Sequence, residues 1–562
     1  MYDRAVARTS LFRTLRRLAR RAHAANVLGS SPSESPPPRR AGPSRRDVLR
    51  GALGAAALLP LAPACGDNIG SDEARIAIIG AGIAGLTAAH FLEQAGVRAD
   101  VYEASMRAGG RMYTDRTTLA GGQLVELGGE LIDSDHTVVP TLLRLYGLTL
   151  DDLAEATPNL EQDQFHFGGA FITEATLVAE FTPVAAKMAL AIAAGDESED
   201  EFARIDALSI PEWLEQEAGL APTSLIRRVF EVAYIEEFGL PVEVQSAWNL
   251  ITLIDYSTPD PFRIFGDSDE RYHTHEGNDA LPLAIAGRLA DRVHYDHALT
   301  KVARAGEGFR LTFASAGGGD LVETLVDHVI YALPFTKLRE VDLEGAELSD
   351  EKRTIIDELG YGTNAKLMLQ FTTRYWEAAH QSAGSVITDV GELQTIWATS
   401  RGQGGDQGIL THFAGGPRGV AMGEGTPEAQ AQQVLPWIDT VLPGTAARYV
   451  AGSAIRMHWP TAPFMKGSYA CYLKGQWAFF GREGVREGNQ HFCGEHCSEN
   501  FQGYMEGGAE TGALVAAELL DDLEVSYPPV LASLVDMLTE APRATYHRGF
   551  GRRMRLAQRR RR

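Results

Sequence analysis

The chain has 562 residues, too many for a single hydrophobic core, and its 44% hydrophobic content can furnish two. Its formal net charge of −22 is unevenly spread: residues 1–50 hold twelve arginines and three acids, residues 541–562 nine arginines and no acid, and the stretch between them 31 bases against 71 acids. Such a surface repels nucleic acid and attracts cations, and four cysteines (Cys65, Cys471, Cys493, Cys497) do not make a disulfide framework.

In chain order, residues 1–43 form an Arg-rich leader, read as disordered, with the run Ser35-Pro36-Pro37-Pro38. Residues 44–65 read as an export signal. Ser44-Arg45-Arg46-Asp47-Val48-Leu49 resembles the twin-arginine motif, and the apolar stretch 51–61 is too short to span a bilayer. Ala62-Pro63-Ala64 suits a signal peptidase, whereas Leu61 to Cys65 is an imperfect lipobox that would put a lipid anchor on Cys65. Either route places the protein outside the cytoplasm, periplasmic or held at a membrane.

The next segment carries the strongest signal. A short apolar strand (Ile76, Ala77, Ile78, Ile79) runs into Gly80, Gly82 and Gly85, the G-x-G-x-x-G pattern. Ile83 and Ala84 lie inside it, and Ala84, Ala88, Phe91 and Ala95 then recur at helical spacing. A second strand ends at Glu103, followed by Ala104. The glycines allow a tight turn and let a pyrophosphate approach a helix N-terminus, where the dipole favours anions. Glu103 stands about 20 residues on, where a carboxylate binds the adenosine ribose.

Arg107, Gly109, Gly110 and Arg111 extend the block as R-x-G-G-R, which an NAD dehydrogenase does not need. With this extension the chain resembles the flavin-containing monoamine oxidase and L-amino-acid oxidase family from about residue 75 to 520. The resemblance implies an α/β fold: a Rossmann-like FAD-binding domain in discontinuous segments, plus an α+β substrate domain with a mixed sheet flanked by helices. FAD-binding segments are expected at 75–137, 271–340 and 461–525, with substrate-domain helices at 138–270, substrate-domain sheet at 341–460 and a basic tail at 526–562.

Further motifs fit that expectation. Val125 to Glu130, with Gly128 and Gly129, resembles the family's second FAD segment. Residues 138–263 read as largely helical and acidic. Residues 294–302, ending at Val302 as a cofactor contact, then 309–313, 326–333 and 366–371 read as strands. Lys366 matches the family lysine that holds a water near flavin N5. Trp459 matches an aromatic near the flavin. Gly494-Glu495-His496, followed by Gly503, Tyr504 and Met505 at the start of a helix, resembles the last FAD segment. Glu495 would there bind the ribityl chain and the helix N-terminus would face the flavin N1–C2=O region. Tyr469 and Tyr504 match the two aromatics that flank the substrate amine. Cys493, His496 and Cys497 sit inside this motif and lack a fourth ligand, so no metal is expected.

Ser468 stands where some monoamine oxidases carry the cysteine that attaches FAD, so FAD is expected to be non-covalent. The implied reaction is oxidative deamination of a primary or secondary amine, with O2 reduced to hydrogen peroxide. An L-amino-acid oxidase is the alternative. It would need a cation for the substrate carboxylate, for which Arg263 and Arg401 are candidates. Glu130 in the cavity would instead favour a second ammonium. A carotenoid-type desaturase, a flavin-dependent isomerase or a non-catalytic flavoprotein on the same fold are further alternatives, and a homodimer is left open.

Overall fold

The computed structural model describes residues 74–315 and 318–540. The leader, the export signal and the closing arginines lie outside the described residues. Segments far apart in the chain supply one parallel sheet, in the order Gln490–Phe492, His328–Tyr331, Ile76–Ile79, Asp100–Tyr102 and Val293–His294. Its central strand is buried along its whole length, as a continuous run of Ile and Ala requires when helices cover a parallel sheet. Helix Ile83–Gln94 packs against the long helix Met505–Asp522. Small residues permit the approach: a β-carbon at Gly508 would meet Ile83 Cγ2 at 2.9 Å.

A seven-stranded mixed sheet forms the second body, in the order Ile455–His458, Ala365–Phe371, Gly408–Ala414, Gln394–Ala398, Ser382–Thr388, Glu161–Phe167 and Ala170–Ile172. Helices Leu225–Phe238 and Pro427–Val441 pack on it. A four-stranded sheet (Val322–Val326, Gly308–Ala314, Ala298–Ala305, Asp342–Gly345) lies beside the parallel one.

Three expectations need correction. The strand expected over 326–333 is split: Val326 ends a strand of the four-stranded sheet, and His328–Tyr331 belongs to the parallel one. The strand expected over 294–302 is two strands in different sheets, Val293–His294 and Ala298–Ala305, with Asp296 at φ 61° between them. Residues 138–263 are largely helical, with one long strand among the helices, Glu161–Phe167, parallel to Ser382–Thr388. Its first half, Glu-Gln-Asp-Gln, lacks apolar alternation, and its partner comes more than 200 residues later. The basic tail does not begin at 526: Pro529–Glu540 is a helix whose Leu531 and Leu534 are buried in the nucleotide-domain core.

Candidate active site

A cavity of about 710 Å³ runs from the C-terminal ends of the parallel strands to the seven-stranded sheet. Its first part is shaped by the glycine turn. Gly80 sits at φ 111°, and a β-carbon there would meet the Ala332 carbonyl oxygen at 2.7 Å. Gly82 faces open space, with nothing within 4 Å of where a β-carbon would be. It is also the N-cap of helix Ile83–Gln94, and no side chain caps that helix. The first-turn N–H groups are thus left for an anionic ligand beside a bare backbone, which suits a pyrophosphate. Ile83, Ala84, Ala104, Gly110 and Gly129 line the same space. Glu103 Oε2 accepts from Ala81 N at 2.8 Å and Oε1 from Ser105, so the carboxylate is held in place and keeps lone pairs for a ribose hydroxyl. The residues present fit FAD.

Three expected contacts lie outside this lining. Gly85 packs under the turn, where a β-carbon would run into the Gly80 carbonyl and Ile78. Arg107 turns onto its own loop, reaching the Gly110 carbonyl at 2.5 Å and lying 3.9 Å over the Tyr113 ring. It shapes the loop and does not face the cavity. Val302 is fully buried in the core, because a register shift between Leu299 and Lys301 turns it inward. Ala298, Leu299 and Thr300 line the cavity in its place.

Further in, Lys366 is buried on its strand, 5% exposed. Its Nζ donates to the carbonyls of Gly128 (2.8 Å) and Glu126 (3.2 Å) and to Glu130 Oε2 (2.7 Å). Glu130 Oε1 accepts from Trp397 Nε1 (2.9 Å) and Thr399 Oγ1 (2.7 Å). Burial works against ionisation of Glu130, but the Lys366 charge and these donors outweigh it and hold the carboxyl below its ordinary pKa. Both oxygens are engaged, so Glu130 is not the free anion for a second ammonium. Trp459 donates to the Leu127 carbonyl at 3.2 Å and walls the cavity beside Gly128.

Arg111 joins the segments, donating to the Ser468 carbonyl (2.6 Å) and Glu495 Oε1 (2.8 Å). Glu495 Oε2 in turn accepts from Gly503 N at 3.0 Å, and Gly494, Glu495, Gly503 and Met505 all line the cavity. Helix Met505–Asp522 has no side-chain cap. Its first-turn acid, Glu506, is fully buried and caps another helix, accepting from the N–H groups of Thr137, Val138 and Val139. The positive end of the Met505–Asp522 dipole is therefore left open to the cavity.

Tyr469 and Tyr504 both line the cavity's far part. The Tyr469 ring lies 3.6 Å from the β-carbon position of Gly503, next to Tyr504, and its hydroxyl donates to the Glu237 carbonyl at 2.5 Å. Burial and neighbouring carboxylates raise both phenols well above their ordinary pKa, so they stay neutral. Ser468 faces the cavity, whereas Cys471 is fully buried and turned to Asn249.

The most informative residues here were not anticipated. Glu236, Glu237 and Glu270 line this end together with Asp133. Burial, then mutual repulsion, raises Glu237 to about 7, Glu270 to about 8 and Glu236 well above its ordinary value; Asp133 rises to about 6. Glu236 Oε2 is buried with no hydrogen-bond partner. The sequence did carry one hint. Glu236 and Glu237 occupy the last turn of helix Leu225–Phe238, where the dipole disfavours acids. Glu270 gave none; it sits at φ 43°, a strained conformation of the kind found at functional sites. Thr395, Trp397 and Thr399 recur at period two, the first two in strand Gln394–Ala398 and Thr399 just past its end. Arg263 and Arg401 also line the cavity; Arg263 is paired with Asp255 and Asp267, while Arg401 Nε is buried without a partner.

Comparison with known proteins agrees with this geometry. The chain is 25% identical over 461 residues to YobN of Bacillus subtilis (strain 168), which carries an L-amino-acid oxidase name; the match covers 79% of this chain and 94% of that protein. It is likewise 25% identical over 536 residues to the pseudooxynicotine dehydrogenase of a Pseudomonas species, covering 86% and 97%. The fold matches a structure of wild-type putrescine oxidase bound to putrescine with TM-score 0.67 and 20% identity, over 80% of this chain and 99% of that one. The family model for flavin-containing amine oxidoreductases matches residues 83–520, well over half of the chain. With a nucleotide cradle, a buried lysine–glutamate pair and a carboxylate-rich pocket joined in one cavity, this chain belongs to the flavin-containing amine oxidoreductase family and is an amine oxidoreductase.

Proposed function

We propose that this protein oxidises a cationic amine, a diamine or polyamine, to an imine that hydrolyses to a carbonyl compound, with O2 reduced to hydrogen peroxide and FAD held non-covalently. The observation that carries this reading is the cluster of Glu236, Glu237 and Glu270 at the far end of the cavity. FAD, when bound, supplies the hydride acceptor and the route of electrons to oxygen. Tyr469 and Tyr504 hold the reacting amine between neutral rings and exclude water. The Glu237 carboxylate, near 7, takes a proton from an arriving ammonium, which leaves the amine neutral for reaction. The Glu270 side chain receives the distal ammonium. Non-covalent attachment is supported by Ser468 at the cavity wall and by Cys471 turned away from it.

A second reading, oxidation of L-amino acids, is favoured by one observation: Arg401 lines the cavity with its Nε unpartnered, as a carboxylate clamp would be. A peroxide-coupled screen of the FAD-loaded enzyme with monoamines, diamines, polyamines and common L-amino acids separates the two. Peroxide from diamines or polyamines is expected. Peroxide from amino acids alone would transfer the assignment to the second reading. Release of the flavin on acid precipitation tests the attachment.

A further inference from the structure

Toward the opposite ends of the same parallel strands, outside the cavity lining, two histidines and two carboxylates converge. His328 opens its strand, and His491 lies on the neighbouring strand, paired in register with Ile330. His328 is two residues from Ile330, so both imidazoles project from one face of the sheet. Glu518 and Asp522, four residues apart on helix Met505–Asp522, present one helix face to them.

One nitrogen from each ring and a carboxylate oxygen of Asp522 lie within 4.8 Å of one another. His491 Nε2 and His328 Nδ1 face each other at 3.5 Å. In a tetrahedral site with metal–nitrogen bonds of about 2.0–2.1 Å, two ligand nitrogens stand about 3.4 Å apart, so little movement is needed. His491 Nδ1 is 2.8 Å from Glu518 Oε2. That bond puts the proton on Nδ1 and the lone pair on Nε2, the arrangement in which a carboxylate orients a metal-bound histidine. His491 is fully buried and His328 nearly so, while Asp522 is exposed and leaves a side open to water. Arg486 pairs with Asp522 Oδ2 and stands 3.9 Å from Glu518 Oε1, so a cation entering the site displaces one guanidinium contact.

We propose that His328, His491 and Asp522 form a binding site for a late first-row divalent cation such as zinc, oriented by Glu518 and completed by water. Two imidazoles and one carboxylate are the donor set for such ions. The site joins two strands to the helix whose N-terminus opens onto the cavity, so its occupation is structural and leaves the reacting groups untouched.

The test uses the FAD-loaded, untagged enzyme, stripped with a chelator and dialysed against zinc chloride. One zinc per chain is expected, together with a higher melting temperature, since a ligand bound only by the folded state stabilises it. Cobalt in its place should give the intense visible bands of a four-coordinate site. Asp522→Asn and His328→Gln should abolish stoichiometric binding, and Glu518→Gln should weaken it by about 10–100-fold, all with unchanged amine oxidation. Asp522 is exposed, so its variant separates loss of binding from loss of folding. Absence of saturable zinc binding, or binding that Asp522→Asn and His328→Gln leave intact, would overturn the site.

Discussion

The Lys366–Glu130 pair shows how much one buried contact decides. Each partner is 6% exposed at its side chain, and together they satisfy two backbone carbonyls and two side-chain donors. Removing the cation alone leaves an uncompensated buried carboxylate. Lys366→Met should therefore cost about 3–5 kcal/mol of stability, read from denaturant unfolding, and the double variant with Glu130→Gln should recover part of it. The raised carboxyls make a second prediction. Glu237 and Glu270 titrate near 7 and 8, above the ordinary value of 4.5. Between those limits the unfolded chain is ionised while the fold keeps its protons, so stability falls as pH rises from about 4.5 to about 8. Melting temperature should decline across that window, and Glu270→Gln should flatten the decline. The same variant should raise KM for a diamine above pH 8 and leave it unchanged at pH 6, where Glu270 is already neutral; a KM shift equal at both pH values would contradict the assignment.

Elements matter here chiefly through their ends. The glycine turn has one glycine facing open space and another packed under the strand, so they should fail differently. Gly82→Val is expected to melt like the wild-type apoprotein but not to retain FAD, because its side chain enters the space left for the pyrophosphate. Gly85→Val, colliding with the Gly80 carbonyl, should yield little folded protein. Glu506 links two helices: it closes the N-terminus of Val138–Leu145 while belonging to the first turn of Met505–Asp522. Glu506→Ala should cost about 2 kcal/mol or more and hasten FAD release, measured by flavin fluorescence. The turn, the helix after it and Glu103 were legible because close approach and anion binding impose local residue choices. Arg107 and Val302 were misplaced because an R-x-G-G-R loop and a strand end do not reveal which way a side chain turns.

For the whole molecule, the acidic surface and the acidic pocket act in the same direction. A net charge of −22 should draw cationic amines toward the cavity, an effect screened beyond about 10 Å at 0.1 M salt. Raising salt from about 20 to about 500 mM should lower kcat/KM for a diamine several-fold and scarcely change it for a neutral substrate. By itself the sequence determined the dinucleotide cradle and the family likeness, since both rest on motifs contained in short segments. The family likeness also pointed to Lys366, Tyr469 and Tyr504, all of which line the cavity. Only the tertiary structure decided what faces what. It closed Glu130 onto Lys366, gathered Glu236, Glu237 and Glu270 at the far end of one cavity, and brought His328 within reach of His491 and Asp522. Those contacts depend on strand order, on register and on the direction of single side chains, which arise from packing between separate segments of the chain.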